Sequence, residues 1–114
     1  MPINQRAKGA RGERQWAKYL RDHGIDARRG VQYQGGENSP DVVSELGDVH
    51  FEVKNTERLR LHNAMKQAKR DAGDKKFPMV AYKKNREPWV ICMYADDAMR
   101  VLAEDDETNI DNAK

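Results

Sequence analysis

The sequence has 114 residues, of which 38% are hydrophobic and 35% are charged, and its formal net charge is +2. This length predicts one domain with a small core. No apolar run approaches the roughly 20 residues that span a bilayer, and the first twenty residues contain no apolar stretch typical of a signal peptide. We therefore expect a soluble, cytoplasmic protein, and its single cysteine, Cys92, excludes an intramolecular disulfide.

Charge is distributed unevenly along the chain. Residues 1–95 contain 19 Lys and Arg against 12 Asp and Glu, whereas residues 96–114 contain 2 against 7. We expect a single basic domain over residues 1–103, followed by an acidic, disordered tail over residues 104–114. A basic domain favours a polyanionic partner such as nucleic acid, although a solvated helix face can have the same composition.

The first predicted element is an amphipathic helix from Ala7 to His23, ended by Gly24. Its basic side chains recur at spacings of three and four and form one stripe, which we call the basic stripe: Lys8, Arg11, Arg14, Lys18 and Arg21. Glu13 falls on the opposite, apolar side. A carboxylate that faces a core needs a cation or hydrogen-bond donors, so we expect either a buried ion pair or a place in a metal site.

The next predicted elements are two short strands. Asp41-Val42-Val43 precedes a turn at Leu46-Gly47-Asp48, and apolar and polar residues then alternate from Gly47 to Lys54. This alternation places Glu52 and Lys54 on one face of the second strand. Antiparallel pairing through the turn would bring Asp41 towards both of them.

Two convergent carboxylates favour Mg²⁺, and a nearby ammonium can orient water or stabilise charge on a phosphate. The pattern therefore suggests metal-dependent phosphodiester hydrolysis. The alternative is an ordinary solvated strand face, on which charged residues are common. His50 lies on the same face as Glu52, so it could neighbour the site, although we expect it to be a surface histidine.

The remaining elements complete an α/β pattern. A second helix is predicted from Arg60 to Ala72, with Gln67 on its surface and Gly73 at its end. Met79–Tyr82 and Trp89–Met93 are apolar runs typical of central strands. A short last helix is predicted to end at Leu102. The loop over residues 30–39 precedes Pro40, and its Tyr33 could stack on an unpaired base or lie in an ordinary surface loop.

Several segments resemble one known family: Lys8-Gly9-Ala10-Arg11-Gly12-Glu13-Arg14, His23-Gly24-Ile25-Asp26-Ala27-Arg28-Arg29, Asp41-Val42-Val43 and Phe51-Glu52-Val53-Lys54-Asn55-Thr56. In this order they resemble the archaeal-type Holliday junction resolvases of the PD-(D/E)XK nuclease superfamily. The resemblance implies an α/β fold with a mixed central sheet flanked by helices. It also implies Mg²⁺ as cofactor, with Mn²⁺ as a possible substitute, a homodimer, and branched DNA such as a four-way junction as partner.

The resemblance assigns the catalytic positions to Glu13, Asp41, Glu52 and Lys54. The expected metal ligands are Asp41 and Glu52, helped by the carbonyl of Val53 and by Glu13. The expected DNA contacts are Lys8, Arg11, Arg14 and Lys18 of the basic stripe, together with Arg28, Arg29 and Tyr33. Two alternatives remain open: another branch of the superfamily, such as a nicking, flap or duplex DNA nuclease, and a non-catalytic DNA-binding domain with the same fold.

Overall fold

The computed structural model describes residues 5–30 and 42–113, with the side chains of residues 8–30 and 42–104. The helices of this part of the chain are α1 (Gln5–Asp22), α2 (Leu61–Ala72) and α3 (Ala95–Ala113). Its strands are β1 (Ala27–Arg29), β2 (Val42–Ser44), β3 (Val49–Asn55), β4 (Phe77–Lys83) and β5 (Val90–Met93). Strand β1 was not predicted, because three residues are too few for a visible alternation. No helix in these ranges is long and apolar enough to cross a membrane.

The five strands form one mixed sheet in the order β1-β2-β3-β4-β5. Strand β2 pairs antiparallel with β3 at Val42 and Phe51, which confirms the pairing predicted through the turn. Strand β3 pairs parallel with β4, and helix α2 makes the crossover connection that a parallel pair requires. The predicted α/β fold with a mixed central sheet is therefore confirmed, and β3 lies at its centre.

Helices α1 and α2 cover opposite faces of this sheet. Trp16 and Leu20 of α1 pack with Phe51 and Val53 of β3 in one buried cluster. Met65 of α2 packs in a second cluster with Val80 of β4, whereas the next residue of β4, Ala81, belongs to the first cluster. Because successive strand residues point to opposite faces, the two clusters lie on the two sides of the sheet. The face of β3 that carries Glu52 is consequently beneath α2, and its Lys54 end remains partly exposed.

The apolar side of α1 approaches β3 closely at a glycine. A Cβ atom on Gly12 would lie 3.0 Å from the Cβ of Asn55 and 3.6 Å from Cγ1 of Val53. The absence of a side chain at Gly12 thus allows the helix to sit directly on the end of β3. The neighbouring Gly9 has nothing within 4 Å of its would-be Cβ, so this requirement applies to Gly12 and not to both glycines.

Two predictions about the last third of the chain are wrong. Strand β5 is an edge strand rather than a central one, and Val90 and Ile91 are 47% and 48% exposed. An apolar run predicts a strand, but it does not determine whether the strand has one neighbour or two. Helix α3 extends to Ala113 instead of ending at Leu102, because the acidic stretch contains no Gly or Pro to stop it. The division into a domain over residues 1–103 and an acidic tail over residues 104–114 stays a prediction.

Candidate active site

Strand β3 positions a carboxylate and an ammonium beside each other. The Glu52 side chain is 5% exposed, and its Oε1 lies 3.6 Å from Nζ of Lys54, whose side chain is 32% exposed. The two residues are separated by one position, so the pleat directs both to the same face. The buried carboxylate of Glu52 is thus paired with the partly exposed ammonium of Lys54, which a phosphate could approach from solvent.

Helix α2 holds the lysine in place. Nζ of Lys54 donates a hydrogen bond of 3.2 Å to Oε1 of Gln67. The expectation that Gln67 is a helix-surface residue is therefore wrong, because α2 covers this face of the sheet. Beside the pair lies a groove of about 270 Å³, whose lining includes Arg58, Arg60 and Asn63. These basic and polar residues were missed from the sequence, since Arg58 and Arg60 lie in a loop without a periodic pattern and Asn63 lies in the exposed first turn of α2.

His50 is buried next to the carboxylate. It is 4% exposed, and its Nε2 lies 3.8 Å from Oε2 of Glu52. The prediction of a surface histidine is wrong for the same reason, since α2 shields this face. Asp71 of α2 brings a carboxylate oxygen to the same place, where ligand atoms of His50, Glu52 and Asp71 all lie within 4.8 Å of one another. The available signal was the spacing of two between His50 and Glu52, which places them on one face.

Glu13 does face inward, as the break in the amphipathic pattern predicted. Its side chain is 15% exposed, and its Oε1 accepts a hydrogen bond of 2.9 Å from Nε of Arg29. The ion pair that the sequence left open as an alternative is therefore formed. Arg29 is 45% exposed, so the pair is buried at one end and solvated at the other. A catalytic role for Glu13 stays a prediction, as does DNA contact by Arg29.

Comparison with known proteins identifies the family. Residues 4–114 match the family described as "Phage putative PDDEXK endonuclease". The chain belongs to this family of phage PD-(D/E)XK endonucleases. Its structure is also similar to that of Hjc, a Holliday junction resolvase from the archaeal hyperthermophile Archaeoglobus fulgidus, with a TM-score of 0.56 and 30% identity over 75% of this chain and 72% of that chain. No curated protein matches the sequence.

The resemblance predicted from the sequence is thus confirmed, and this PD-(D/E)XK endonuclease is a nuclease with an Hjc-like α/β fold. Nucleases of this superfamily generally use divalent metal ions, and the buried Glu52 offers carboxylate oxygen of the kind that such ions prefer. Two predicted site residues, Asp41 and Tyr33, lie outside the described residues. The metal-binding roles of Glu52 and of the Val53 carbonyl stay predictions.

The predicted DNA-contacting residues of the endonuclease differ in solvent exposure and in whether they already form an ion pair. Arg11, Arg14 and Arg28 are exposed, whereas Lys8 is partly buried. Lys18 donates a 2.7 Å hydrogen bond to Asp22, and this bond lowers the pKa of the Asp22 carboxyl. We therefore expect Arg11 and Arg14 of the basic stripe to be more available to phosphates than Lys18.

Proposed function

We propose that this endonuclease is a Mg²⁺-dependent, structure-specific deoxyribonuclease that resolves four-way DNA junctions. The observation that carries the proposal is the pairing of Glu52 with Lys54 on the central strand, with Gln67 bonded to the lysine. The similarity to Hjc, which is a Holliday junction resolvase, supports the choice of substrate. Participation in DNA recombination follows from that substrate.

The proposed metal site uses oxygen donors. Glu52 would be one ligand, and Asp41 would be another, because it directly precedes Val42, whose partner Phe51 directly precedes Glu52. The carbonyl of Val53 would be a further donor, and Glu13, which belongs to α1 on the other side of the sheet, would orient metal-bound water or a second ion. Such a set suits Mg²⁺, with Mn²⁺ as a substitute. When bound, the ion would supply positive charge that stabilises the transition state of phosphodiester hydrolysis.

Lys54 has the clearest role among the residues of the chain. Its ammonium, held between the Glu52 carboxylate and the Gln67 amide, is oriented before substrate arrives. An oriented cation costs no reorganisation during the reaction, so it stabilises charge that develops on the phosphate. It can also position a water that attacks the phosphorus directly, without a covalent intermediate. Attack in line with the leaving 3′ oxygen would break the P–O3′ bond and leave a 5′-phosphate and a 3′-hydroxyl, as the resemblance implies.

Junction resolution needs two cuts related by symmetry, so we propose a homodimer. The exposed apolar residues Val90 and Ile91 lie on the edge strand β5, and an edge strand can pair with a second copy. The basic residues among the predicted DNA contacts, including Arg11, Arg14 and Arg28, would bind backbone phosphates. They would therefore recognise the shape of the DNA and not its base sequence. Tyr33 would stack on a base at the branch point.

The test compares cleavage of a four-way junction with cleavage of matched linear duplex, flap and single-stranded DNA, each with Mg²⁺ and with a chelator. We expect the junction to be cut in two strands of like polarity, and only with metal. Glu52→Gln should abolish cleavage while DNA binding persists. Glu87→Gln, in the exposed turn between β4 and β5, is the matched control and should cleave normally.

The outcomes separate the proposal from its alternatives. Equal cutting of duplex and junction would indicate another nuclease of the superfamily, such as a nicking, flap or duplex nuclease. DNA binding without cleavage of any substrate would indicate a non-catalytic DNA-binding domain. The Glu52–Lys54–Gln67 arrangement argues against the second alternative, because a binding domain has no need of a buried carboxylate behind a lysine that meets phosphate.

A further inference from the structure

A cluster of metal-ligand groups lies on the side of Glu52 that faces away from Lys54 along β3. Oε1 of Glu52 is the atom near Lys54, whereas Oε2 is the atom near Nε2 of His50. Asp71 of α2 adds a second carboxylate, and the three ligand atoms lie within 4.8 Å of one another. The two oxygens of one carboxylate therefore face two different environments.

The histidine provides an independent indication of a ligand. His50 is 4% exposed, and its Nε2 is buried without a hydrogen-bond partner among the described residues. The 3.8 Å to Oε2 of Glu52 is too long for a hydrogen bond. Leaving a buried polar atom unsatisfied costs on the order of 1–3 kcal/mol. A cation bound between the imidazole and the carboxylates would remove that cost.

We propose that His50, Glu52 and Asp71 bind a transition-metal dication, for which Zn²⁺ is the best match. Imidazole nitrogen together with carboxylate oxygen suits Zn²⁺, whereas Mg²⁺ prefers oxygen ligands alone. This site is distinct from the Mg²⁺ site of the proposed function, with which it shares Glu52 and no other residue. It does not depend on the catalytic proposal, since the ligand set is defined by the described side chains.

The geometry is close to what binding requires. Zn²⁺ ligands at about 2.0–2.2 Å from the metal in a tetrahedral arrangement lie about 3.3–3.6 Å from one another. The separation of 3.8 Å between Nε2 of His50 and Oε2 of Glu52 thus needs to close by only about half an ångström or less. Asp71 is partly exposed, so it lies on the side from which an ion could enter.

The position of Asp71 in α2 adds a further reason. It lies in the last turn of Leu61–Ala72, where the helix dipole is negative and a carboxylate is unfavourable. The Glu52 carboxylate also has an oxygen within 4.8 Å of one of its oxygens, and two like charges at this distance repel. A dication at this place offsets both repulsions. The proposed ion would therefore connect the C-terminal end of α2 to the central strand.

The experiment measures Zn²⁺ binding to tag-free protein by isothermal titration calorimetry, with millimolar Mg²⁺ present and no DNA. We expect one Zn²⁺ per chain. His50→Gln and Asp71→Asn should each weaken binding by about tenfold or more, since even indirect changes at metal sites have effects of this size. His62→Gln and Asp74→Asn replace exposed residues of the same types nearby and should bind as the unmodified protein does.

Asp41→Asn separates this proposal from the catalytic one, because it removes a proposed Mg²⁺ ligand and should leave Zn²⁺ binding intact. Thermal unfolding of each variant checks that it is folded, and Asp71→Asn provides a partly exposed substitution if His50→Gln fails to fold. No Zn²⁺ binding by the unmodified protein would overturn the proposal. So would unchanged binding by Asp71→Asn, or loss of binding with Asp41→Asn alone.

Discussion

The Glu13–Arg29 pair allows a prediction that distinguishes a catalytic carboxylate from a structural one. The two ends of the pair differ in burial, with the Glu13 side chain 15% exposed and that of Arg29 45% exposed. Glu13→Gln leaves behind an arginine that water already reaches, whereas Arg29→Met leaves behind a carboxylate that water barely reaches. The two substitutions should therefore have unequal effects on stability.

The expected magnitudes follow from that asymmetry. Removal of one partner from a fully buried ion pair lowers the free energy of unfolding of a protein by about 3–5 kcal/mol. The same removal from an exposed pair lowers it by about 1 kcal/mol or less. Glu13→Gln should therefore lower the free energy of unfolding by about 1 kcal/mol, which corresponds to roughly 4–8 °C in melting temperature for a domain of this size. Arg29→Met should cost more, about 2 kcal/mol, because the stranded group is a nearly buried charge.

The assay combines thermal unfolding with DNA cleavage by the same variants. If Glu13 acts in the reaction, Glu13→Gln remains folded at the assay temperature and loses activity by about 100-fold or more. Glu57→Gln, an exposed residue after β3, is the control and should match the unmodified protein in both measurements. The double variant Glu13→Gln with Arg29→Met completes a cycle that gives the coupling energy of the pair.

Two results would refute this reasoning. A larger loss of stability in Glu13→Gln than in Arg29→Met would show that the burial of the residue left without its partner does not determine the size of the loss. Normal cleavage per folded molecule of Glu13→Gln would show that Glu13 serves only to hold Arg29. In that case the catalytic centre would consist of the remaining proposed residues.

Two further predictions concern α1. Gly12→Ala should lower the free energy of unfolding by about 1–3 kcal/mol in urea titrations, because its Cβ would lie 3.0 Å from that of Asn55. Gly9→Ala, with no neighbour within 4 Å, should instead raise it by about 0.5–1 kcal/mol, and equal effects of the two would contradict the close approach. Arg11→Ala with Arg14→Ala should reduce the slope of log affinity against log salt by about 0.9 for each phosphate that the variant no longer neutralises. Lys75→Ala with Lys76→Ala is the control, and an unchanged slope in the arginine variant would exclude the basic stripe from the interface.

The sequence was sufficient for features that depend on local periodicity. Alternation along β3 predicted that Glu52 and Lys54 share a face, and the break in the helical pattern predicted that Glu13 faces inward. Gly24 and Gly73 follow the helices that they were predicted to end, each with positive φ, where glycine has no Cβ to clash. These signals are strong because each depends on residues within a few positions of one another.

Features that depend on which elements pack together were not predictable in the same way. A polar strand face suggests solvent, but α2 covers this one, so His50 is buried and Gln67 is bonded to Lys54. The apolar run of β5 could not reveal that its strand lies at the edge of the sheet. In both cases the deciding partner lies far along the chain, and no short pattern encodes it.

The parallel pairing of β3 with β4 has a consequence for when the protein can act during its synthesis. The hairpin of β2 and β3 joins neighbours and can form early, but Lys54 pairs with Tyr82 and is held by Gln67. Contacts between residues far apart in the sequence form only after the chain between them is closed into a loop. Loop closure costs conformational entropy, so we expect these contacts to form later than the hairpin. When Glu52 and Lys54 of a nascent chain have left the ribosome, Lys54 is thus not yet oriented. It becomes oriented only after α2 and β4 have also been synthesised and have packed against β3. With the proposed role of Lys54, this topology would delay nuclease activity until the domain is nearly complete.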